Sequence, residues 1–322
     1  MSIPTVHLDT VRADHTRDMT GRVAAITGTT SGTGFVLARE LARLGARVVL
    51  LNRASGRADE ALARLQRHVP GAEFVPVECD LQDFDSVRAA AARLRKLTDT
   101  LDVLCNNAGV MALPDQATKD GYDVQIQTNC ISHFLLTREL FDLIENSDDG
   151  RIVNHTSAAR MGPPLEPRYF TRRGGDLGGD GTTAENASFS GPRWARYHQT
   201  KLANCAFTYE LKARLDARGT TNVKAMIAHP GLAATNLQTT TAGTGGMSME
   251  GGFMSQAQSA ADGALGILRA CADPNAQSGD FFGPQGWTGF PEKLTPEPLL
   301  SDAHNRRVNW AGCEAAVGAW AL

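Results

Sequence analysis

Tyr197 and Lys201, in the run Tyr-His-Gln-Thr-Lys, place a phenol and an ammonium four residues apart. On a helix, positions i and i+4 share one face. A phenol ordinarily titrates near ~10 and shuttles protons poorly at neutral pH. A fixed cation alongside favours the phenolate and brings that value down towards a working range. Upstream, Thr27-Gly-Thr-Thr-Ser-Gly-Thr-Gly34 sets Gly28, Gly32 and Gly34 between a short apolar run and a helical pattern. Glycine lets the backbone turn sharply against a pyrophosphate, and the helix that follows aims its free N–H groups at the phosphates. A phosphate-cradling turn combined with a lowered-pKa tyrosine points to hydride transfer between a nicotinamide and a carbonyl or alcohol.

These groups need a scaffold, and the sequence supplies an alternating one from Gly21 onwards. Strands are expected at 23–27, 47–52, 74–80, 101–106, 151–156, 223–229 and 280–282. Helical periodicity falls at 35–44, 58–69, 84–97, 121–145, 197–215 and 257–271. Pro76 inside the third strand marks an edge position. Such alternation predicts an α/β fold: a doubly wound parallel sheet of Rossmann type, with about seven strands in a single domain. Ligands of that architecture bind beyond the carboxyl ends of the strands, where the strand order reverses, and every motif falls at such an end. Two stretches interrupt the rhythm: 160–193, rich in Gly and Pro, and 236–256, rich in Gly, Thr and Met. Both lie where a substrate mouth should be and read as lids, the alternative being flexible, functionless insertions. Residues 1–20 read as an N-terminal arm outside the fold, 21–290 as the catalytic domain, and 291–322 as a C-terminal extension packed on it.

Composition narrows the classes. A formal charge of −3 over 322 residues, with basic residues dispersed, offers nucleic acid no surface. No apolar run is long enough to span a bilayer, and the first 19 residues lack a signal-peptide core. Six dispersed cysteines without Cys-x-x-Cys spacing read as buried free thiols in a reducing cytoplasm, and the eight histidines do not cluster at metal-ligand spacing.

The second strand ends Leu51-Asn52-Arg53, without the acidic residue that holds a free ribose 2′-hydroxyl. Arg53, with Thr30, Ser31 and Arg57 nearby, suits a 2′-phosphate instead, so the expected cofactor is NADP(H). Asp80-Leu81 could receive the adenine amino group; Asp80 is alternatively a helix N-cap. Asn106-Asn107-Ala108-Gly109 supplies small residues that let the chain pass beneath the cofactor.

In order, Thr-Gly-x-x-x-Gly-x-Gly, Asp80-Leu81, Asn-Asn-Ala-Gly, Asn129, Ser157, Tyr197-x-x-x-Lys201 and Pro230-Gly231-x-x-x-Thr235 resemble the short-chain dehydrogenase/reductase superfamily over about residues 20 to 285. Arg151-Ile-Val-Asn, Tyr-x-x-x-Lys-Leu-Ala-Asn204, His229-Pro-Gly231 and Phe282-Gly-Pro284 look most like its retinol-dehydrogenase and WW-domain-oxidoreductase group. Two departures from the pattern stand out: Thr33 stands where Ile or Leu is usual, and His155-Thr156 precedes Ser157 where Val-Ser or Ile-Ser is common. The resemblance implies that Tyr197 donates the proton, Lys201 tunes it and binds the nicotinamide ribose, and Ser157 holds the substrate oxygen. Asn129 would anchor a water leading from Lys201 to solvent. The glycine turn with Thr33, and the segment Pro230, Gly231, Leu232 and Thr235, would bind the cofactor. It further implies a homodimer or homotetramer packed through the helices at 121–145 and 197–215, although the long insertion could block one such interface.

The leading reading is an NADPH-dependent carbonyl reductase, reversible as an alcohol dehydrogenase, acting on a lipophilic or polycyclic small molecule. Reduction of a conjugated C=C bond is the enzymatic alternative. A non-catalytic NADP(H) sensor would be expected to lack Tyr197 or Lys201. A nucleotide-sugar epimerase or dehydratase would show G-x-x-G-x-x-G spacing and a longer C-terminal domain.

Overall fold

The computed structural model describes residues 3–249 and 252–322. Its elements, in chain order, begin with α1 (Leu8–Asp14), β1 (Val23–Thr27), α2 (Gly32–Arg43), β2 (Arg47–Asn52), α3 (Gly56–His68), β3 (Phe74–Glu78), α4 (Phe84–Arg95) and β4 (Val103–Asn106). Next come α5 (Val124–Ile126), which runs through a π-helical turn at Gln127–Ile131 into α6 (Ser132–Glu145), then β5 (Gly150–His155), α7 (Thr183–Ala187), α8 (Gly191–Arg218) and β6 (Val223–Ala228). The chain continues with α9 (Asn236–Gly243), α10 (Ala260–Gly263), α11 (Leu265–Ala272), β7 (Phe281–Gly283), β8 (Glu292–Leu294) and α12 (Ala303–Val317).

The strands order as β3-β2-β1-β4-β5-β6-β7-β8. All pairings are parallel except β7 with β8. The doubly wound sheet is therefore present, with eight strands among the described residues, and Pro76 does sit in an edge strand. Successive strand residues point to opposite faces, and both faces are buried here, as parallel sheets require. Ala25, Val49, Leu51, Ala225 and Ile227 join one core with α4, α6, α8 and α12. Ala24, Ile26, Val48, Leu50, Met226 and Ala228 join the other, with α1, α2 and α11.

Helix ends follow local chemistry. The Ser55 hydroxyl accepts from Ala58 N to start α3, and Asp83 accepts from Asp85 N to start α4. Gly219 stops α8 in the left-handed conformation, at φ 74°.

Several boundaries differ from expectation. The segment read as an arm outside the fold buries Leu8, Val11 and Met19 in the second core. Three apolar residues among polar neighbours carry too weak a period to announce that packing. The antiparallel strand β8, the short helices α7 and α9 inside the insertions, and α12 were not anticipated. α12 packs on α8 and α6, the two helices expected to face a partner subunit. Trp310 stacks on Trp320 at 5.2 Å between ring centroids, and Phe134 lies edge-on to both. The Arg214 guanidinium covers the Trp310 ring at 4.0 Å, and Arg306 pairs with Glu210 at 3.2 Å.

The 160–193 insertion is bolted to α8 through Arg196, whose side chain is fully buried. Its guanidinium faces Asp123 at 3.3 Å and Asp115 at 3.6 Å and donates to the carbonyls of Leu177 and Gly179. Asp115 in turn accepts from the backbone N–H groups of Gly175, Leu177 and Gly179. Arg196→Met would leave buried carboxylates uncompensated. It is expected to cost about 3–5 kcal/mol, measured as the loss of unfolding free energy in urea.

Candidate active site

The β1–β4 pairing is where the sheet reverses direction, so the ends of β1, β4, β5 and β6 open onto one crevice. Thr27 closes β1, and three glycines follow within seven residues. Gly28 has φ 73°, and a Cβ there would sit 2.9 Å from Ala108; a Cβ on Gly34 would sit 2.2 Å from the Gly28 carbonyl oxygen. The turn is thus folded tightly on itself and on the chain after β4, leaving its outer side as a cradle. Ser31 occupies the N-cap of α2 without a side-chain cap bond. The first-turn N–H groups of α2 therefore face the cradle unclaimed by a cap, which is the donor set a diphosphate requires.

Asn52 sits where an acid would bind a ribose, and it is tied inwards: its Oδ1 accepts from Thr29 N and its Nδ2 donates to Thr29 Oγ1, both at 2.8 Å. Arg53 and Arg57 are exposed beyond it. Among the described residues neither makes an ion pair. Two exposed guanidinium groups just past β2 fit a phosphorylated ribose. Asp80 receives Gln82 N at 2.9 Å and is not the cap of α4; Asp83 is. The Leu81 carbonyl receives the Ser132 hydroxyl at 2.6 Å.

On the far side of the crevice, Pro230, Gly231 and Leu232 follow β6. Gly231 has φ 61°, and a Cβ there would strike the Trp287 carbonyl at 2.3 Å. Thr235 caps α9 in a capping box with Gln238, and a Cβ on Gly32 would meet its side chain at 3.2 Å. Two motifs about 200 residues apart therefore face each other across the cradle.

Ser157, Tyr197 and Lys201 meet between these walls. Ser157 lies just past β5, its hydroxyl accepting from Ala159 N at 3.0 Å and close enough to the Tyr197 phenol to lower its pKa. Both Tyr197 and Lys201 are buried, at 3% and 5% exposure. Lys201 Nζ lies 5.7 Å from the Tyr197 ring centroid and donates to the His155 carbonyl at 3.1 Å. Burial pushes the phenol up to about 12, opposed by the Ser157 hydrogen bond. Burial also brings the Lys201 ammonium down to about 8. The expected lowering of Tyr197 by its lysine is therefore overridden in the chain by itself: the ammonium lies over the ring and is bonded to a carbonyl. At neutral pH the site presents a protonated phenol, a proton donor.

Asn129 lies in the π-helical turn, a widening common at functional sites. Its Oδ1 accepts from Val110 N at 2.8 Å, and its Nδ2 donates to the Val110 carbonyl at 2.8 Å and Thr200 Oγ1 at 3.0 Å. It holds the loop after β4 against the helix of Tyr197. Gly109 passes beneath; a Cβ there would lie 3.2 Å from Asn129 Oδ1 and 3.5 Å from Lys201 Nζ.

Sequence reasoning missed the supports. Thr27 Oγ1 accepts from Asn107 N and Ala108 N at 3.0 Å and meets His133 Nε2 at 3.0 Å, while His133 Nδ1 meets the Asn129 carbonyl at 3.1 Å. It also missed the wall beside Tyr197, made of Met111, Ala112, Trp194 and Met247. Trp194 stands edge-on to Tyr197 at 5.7 Å and donates to the Gly246 carbonyl at 2.8 Å. The i, i+3 spacing of Trp194 and Tyr197 was the available signal for one of these. A cavity of about 560 Å³ opens next to the serine, lined by Ala158, Arg160, Met161, His229, Gly231 and Trp287 among others.

A doubly wound sheet with a phosphate-type turn at its switch point defines the nucleotide-binding class. Within that class the chain belongs to the short-chain dehydrogenase/reductase family. The short chain dehydrogenase family model matches residues 22–172. The short-chain dehydrogenase/reductase drtF of Aspergillus calidoustus is 32% identical over 298 residues, covering 88% of this chain and 91% of the relative. Human (Homo sapiens) retinol dehydrogenase 14 is 37% identical over 235 residues, 68% of this chain. That match spans only 64% of the human protein's length. The crystal structure of an uncharacterised protein from Mycobacterium Paratuberculosis superposes with a TM-score of 0.73 at 30% identity, covering 97% of this chain and 98% of the other.

The lysine shift has a direct check. In nucleotide-free protein, the Lys201 ε-methylene signal followed by ¹H–¹³C NMR is expected to titrate with a midpoint near 8; a midpoint above 10 would contradict the burial argument.

Proposed function

We propose that the chain is an NADPH-dependent reductase of a carbonyl group, reversible as an alcohol dehydrogenase. The observation that carries this reading is the closeness of Ser157, Tyr197 and Lys201 to one another, on segments that meet beyond the carboxyl ends of the strands. Reduced nicotinamide bound in that cradle supplies the hydride. The phenol of Tyr197 donates the proton to the carbonyl oxygen, and its high pKa suits it to the reductive direction. Ser157 fixes that oxygen within reach of the phenol. Lys201, charged below about pH 8, stabilises the phenolate left behind and binds ribose hydroxyls. Gly28, Thr30, Ser31, Gly32, Thr33 and Gly34 enclose the diphosphate, and Arg53 receives the 2′-phosphate. Asp80 with Leu81 and Asn107 with Ala108 and Gly109 line the nucleoside, and Pro230, Gly231, Leu232 and Thr235 close over the carboxamide.

The wall of Met111, Trp194 and Met247 supports a lipophilic, ring-bearing substrate, since it offers aromatic and sulfur contacts and no fixed charge. Both the phenol and the lysine that a mere nucleotide sensor could dispense with are in place. Assembly through α6 and α8 is not part of this proposal, because α12 lies on them.

Tyr197→Phe is expected to retain NADPH binding while turnover of lipophilic ketones falls about 10²–10⁴-fold. The measurement is NADPH absorbance with product identification by mass and NMR, which separates C=O from C=C reduction. Near-normal turnover in this variant would remove Tyr197 as the acid. Arg53→Asp is expected to weaken NADPH binding roughly 10–100-fold, the loss of charge-assisted hydrogen bonds, with NADH binding changed far less. Equal losses for the two nucleotides would count against a 2′-phosphate contact.

A further inference from the structure

Two of the residues that depart from the family pattern, Thr33 on α2 and His155 at the end of β5, converge on a single atom. Thr33 Oγ1 and His155 Nδ1 each lie 3.0 Å from Asn107 Oδ1. The orientation of the Asn107 amide is fixed independently: its Nδ2 donates to the carbonyls of Thr27 at 2.9 Å and Gly28 at 3.1 Å, which can only accept. Asn107 Oδ1 must therefore accept from both of its neighbours. Because a carbonyl oxygen has no proton to give, the proton of His155 resides on Nδ1. Nε2 is left as a bare lone pair, and among the described residues it is buried without a partner. His155 is only 7% exposed, and burial, with Lys201 and His229 nearby, brings its pKa down to about 3. It is a neutral imidazole of one tautomer.

We propose that His155 is a positioning residue for the cofactor turn: with Thr33 it saturates Asn107 Oδ1 and locks that amide in the one orientation that ties the Thr27–Gly28 backbone. The inference rests on the reading of the turn as an NADP(H) cradle. Its reach is larger than one bond, because the backbone of the same residue works on the proton-transfer side. The His155 carbonyl accepts from Lys201 Nζ and from Asn204 Nδ2, both at 3.1 Å. One residue thus joins the phosphate turn, through its ring, to Lys201, through its carbonyl. Valine or isoleucine at 155 and isoleucine or leucine at 33 would bring no donor to Asn107 Oδ1. Asn107 Oδ1 would then be left without either donor, and only the two bonds from Nδ2 to the Thr27 and Gly28 carbonyls would hold the amide. Both polar departures thus serve one acceptor.

The test uses NADPH binding to the full chain, read by energy transfer from tryptophan, with thermal unfolding as a fold control. His155→Val is expected to weaken NADPH binding about tenfold, one lost buried hydrogen bond. An asparagine amide places its Nδ2 where the imidazole has Nδ1, so His155→Asn should bind within about twofold of the wild type. His155→Gln, which mimics Nε2, should resemble His155→Val. Thr33→Val with His155→Val should cost more than the sum of the two single losses, because either donor alone still satisfies the shared acceptor and only the double loss leaves it bare. In the unmodified chain, long-range ¹⁵N–¹H correlation should show His155 protonated at Nδ1. Wild-type-like binding by His155→Val, or Asn performing no better than Gln, would overturn the clamp. So would an Nε2–H tautomer, a result that needs no variant to fold. A wild type that fails to bind NADPH while showing the Nδ1–H tautomer would instead sink the cofactor reading and leave the clamp geometry standing.

Discussion

The reversal of winding between β1 and β4 is the constraint on which the rest depends. β1 pairs with β2 on one side and β4 on the other, so connections leave in opposite directions and cannot fill the space beyond the strand ends. Everything with chemical potential gathers in that gap. The register carries it there: Cys105 pairs with Ile26 and with Val153, and Asn154 pairs with Ile227. Adjacent strands are further stapled by the buried Asn106, whose Nδ2 donates to Asn154 Oδ1 at 2.9 Å. A slip of one residue would turn Asn106 and Asn154 into the opposite core and carry His155 and Ser157 out of the site.

Within the gap, burial does more to set protonation than pairing does. Tyr197, Lys201, His133 and His155 are all desolvated, and each is pushed towards its neutral form. The result is a set of neutral hydrogen-bonding groups around one ammonium close to its titration point. Such a site responds strongly to whatever negative charge enters the cradle, because the same low-dielectric surroundings that penalise a lone ion strengthen its attraction to a counter-ion. The Lys201 cation is held by a backbone carbonyl, and among the described residues no carboxylate pairs with it.

Much of the scaffold was legible from residues alone, since parallel strands buried on both faces leave short aliphatic runs and glycine stops that periodicity detects. The site positions were legible because their spacing is dictated by turn geometry, as at Gly28 and Gly34, or by helix pitch, as at Tyr197 and Lys201. What could not be read were contacts between segments with no periodic signature. Thr33 and His155 are 122 positions apart and meet only through Asn107, so each looked like an isolated oddity. Arg196, next to Tyr197, carries no sign of its burial in the sequence; its carboxylate partners Asp115, Asp123 and Asp180 lie outside α8, on segments whose paths no local pattern encodes. The pKa of Tyr197 was misjudged for a related reason: a neighbour in sequence is visible, whereas the burial contributed by Trp194, Met111 and Met247 is not.

The two margins of the sheet share a property with consequences for handling the protein. Pro76, within β3, has no amide hydrogen to offer an incoming strand, and β8 is only three residues long and begins Glu292-Lys293. Neither border is a good template for docking a foreign extended segment. Concentrated solutions, or chains jostled by partial heating, should therefore resist runaway stacking into fibrils through these borders. Clumping, where it occurs, would have to start from a loosened helical layer.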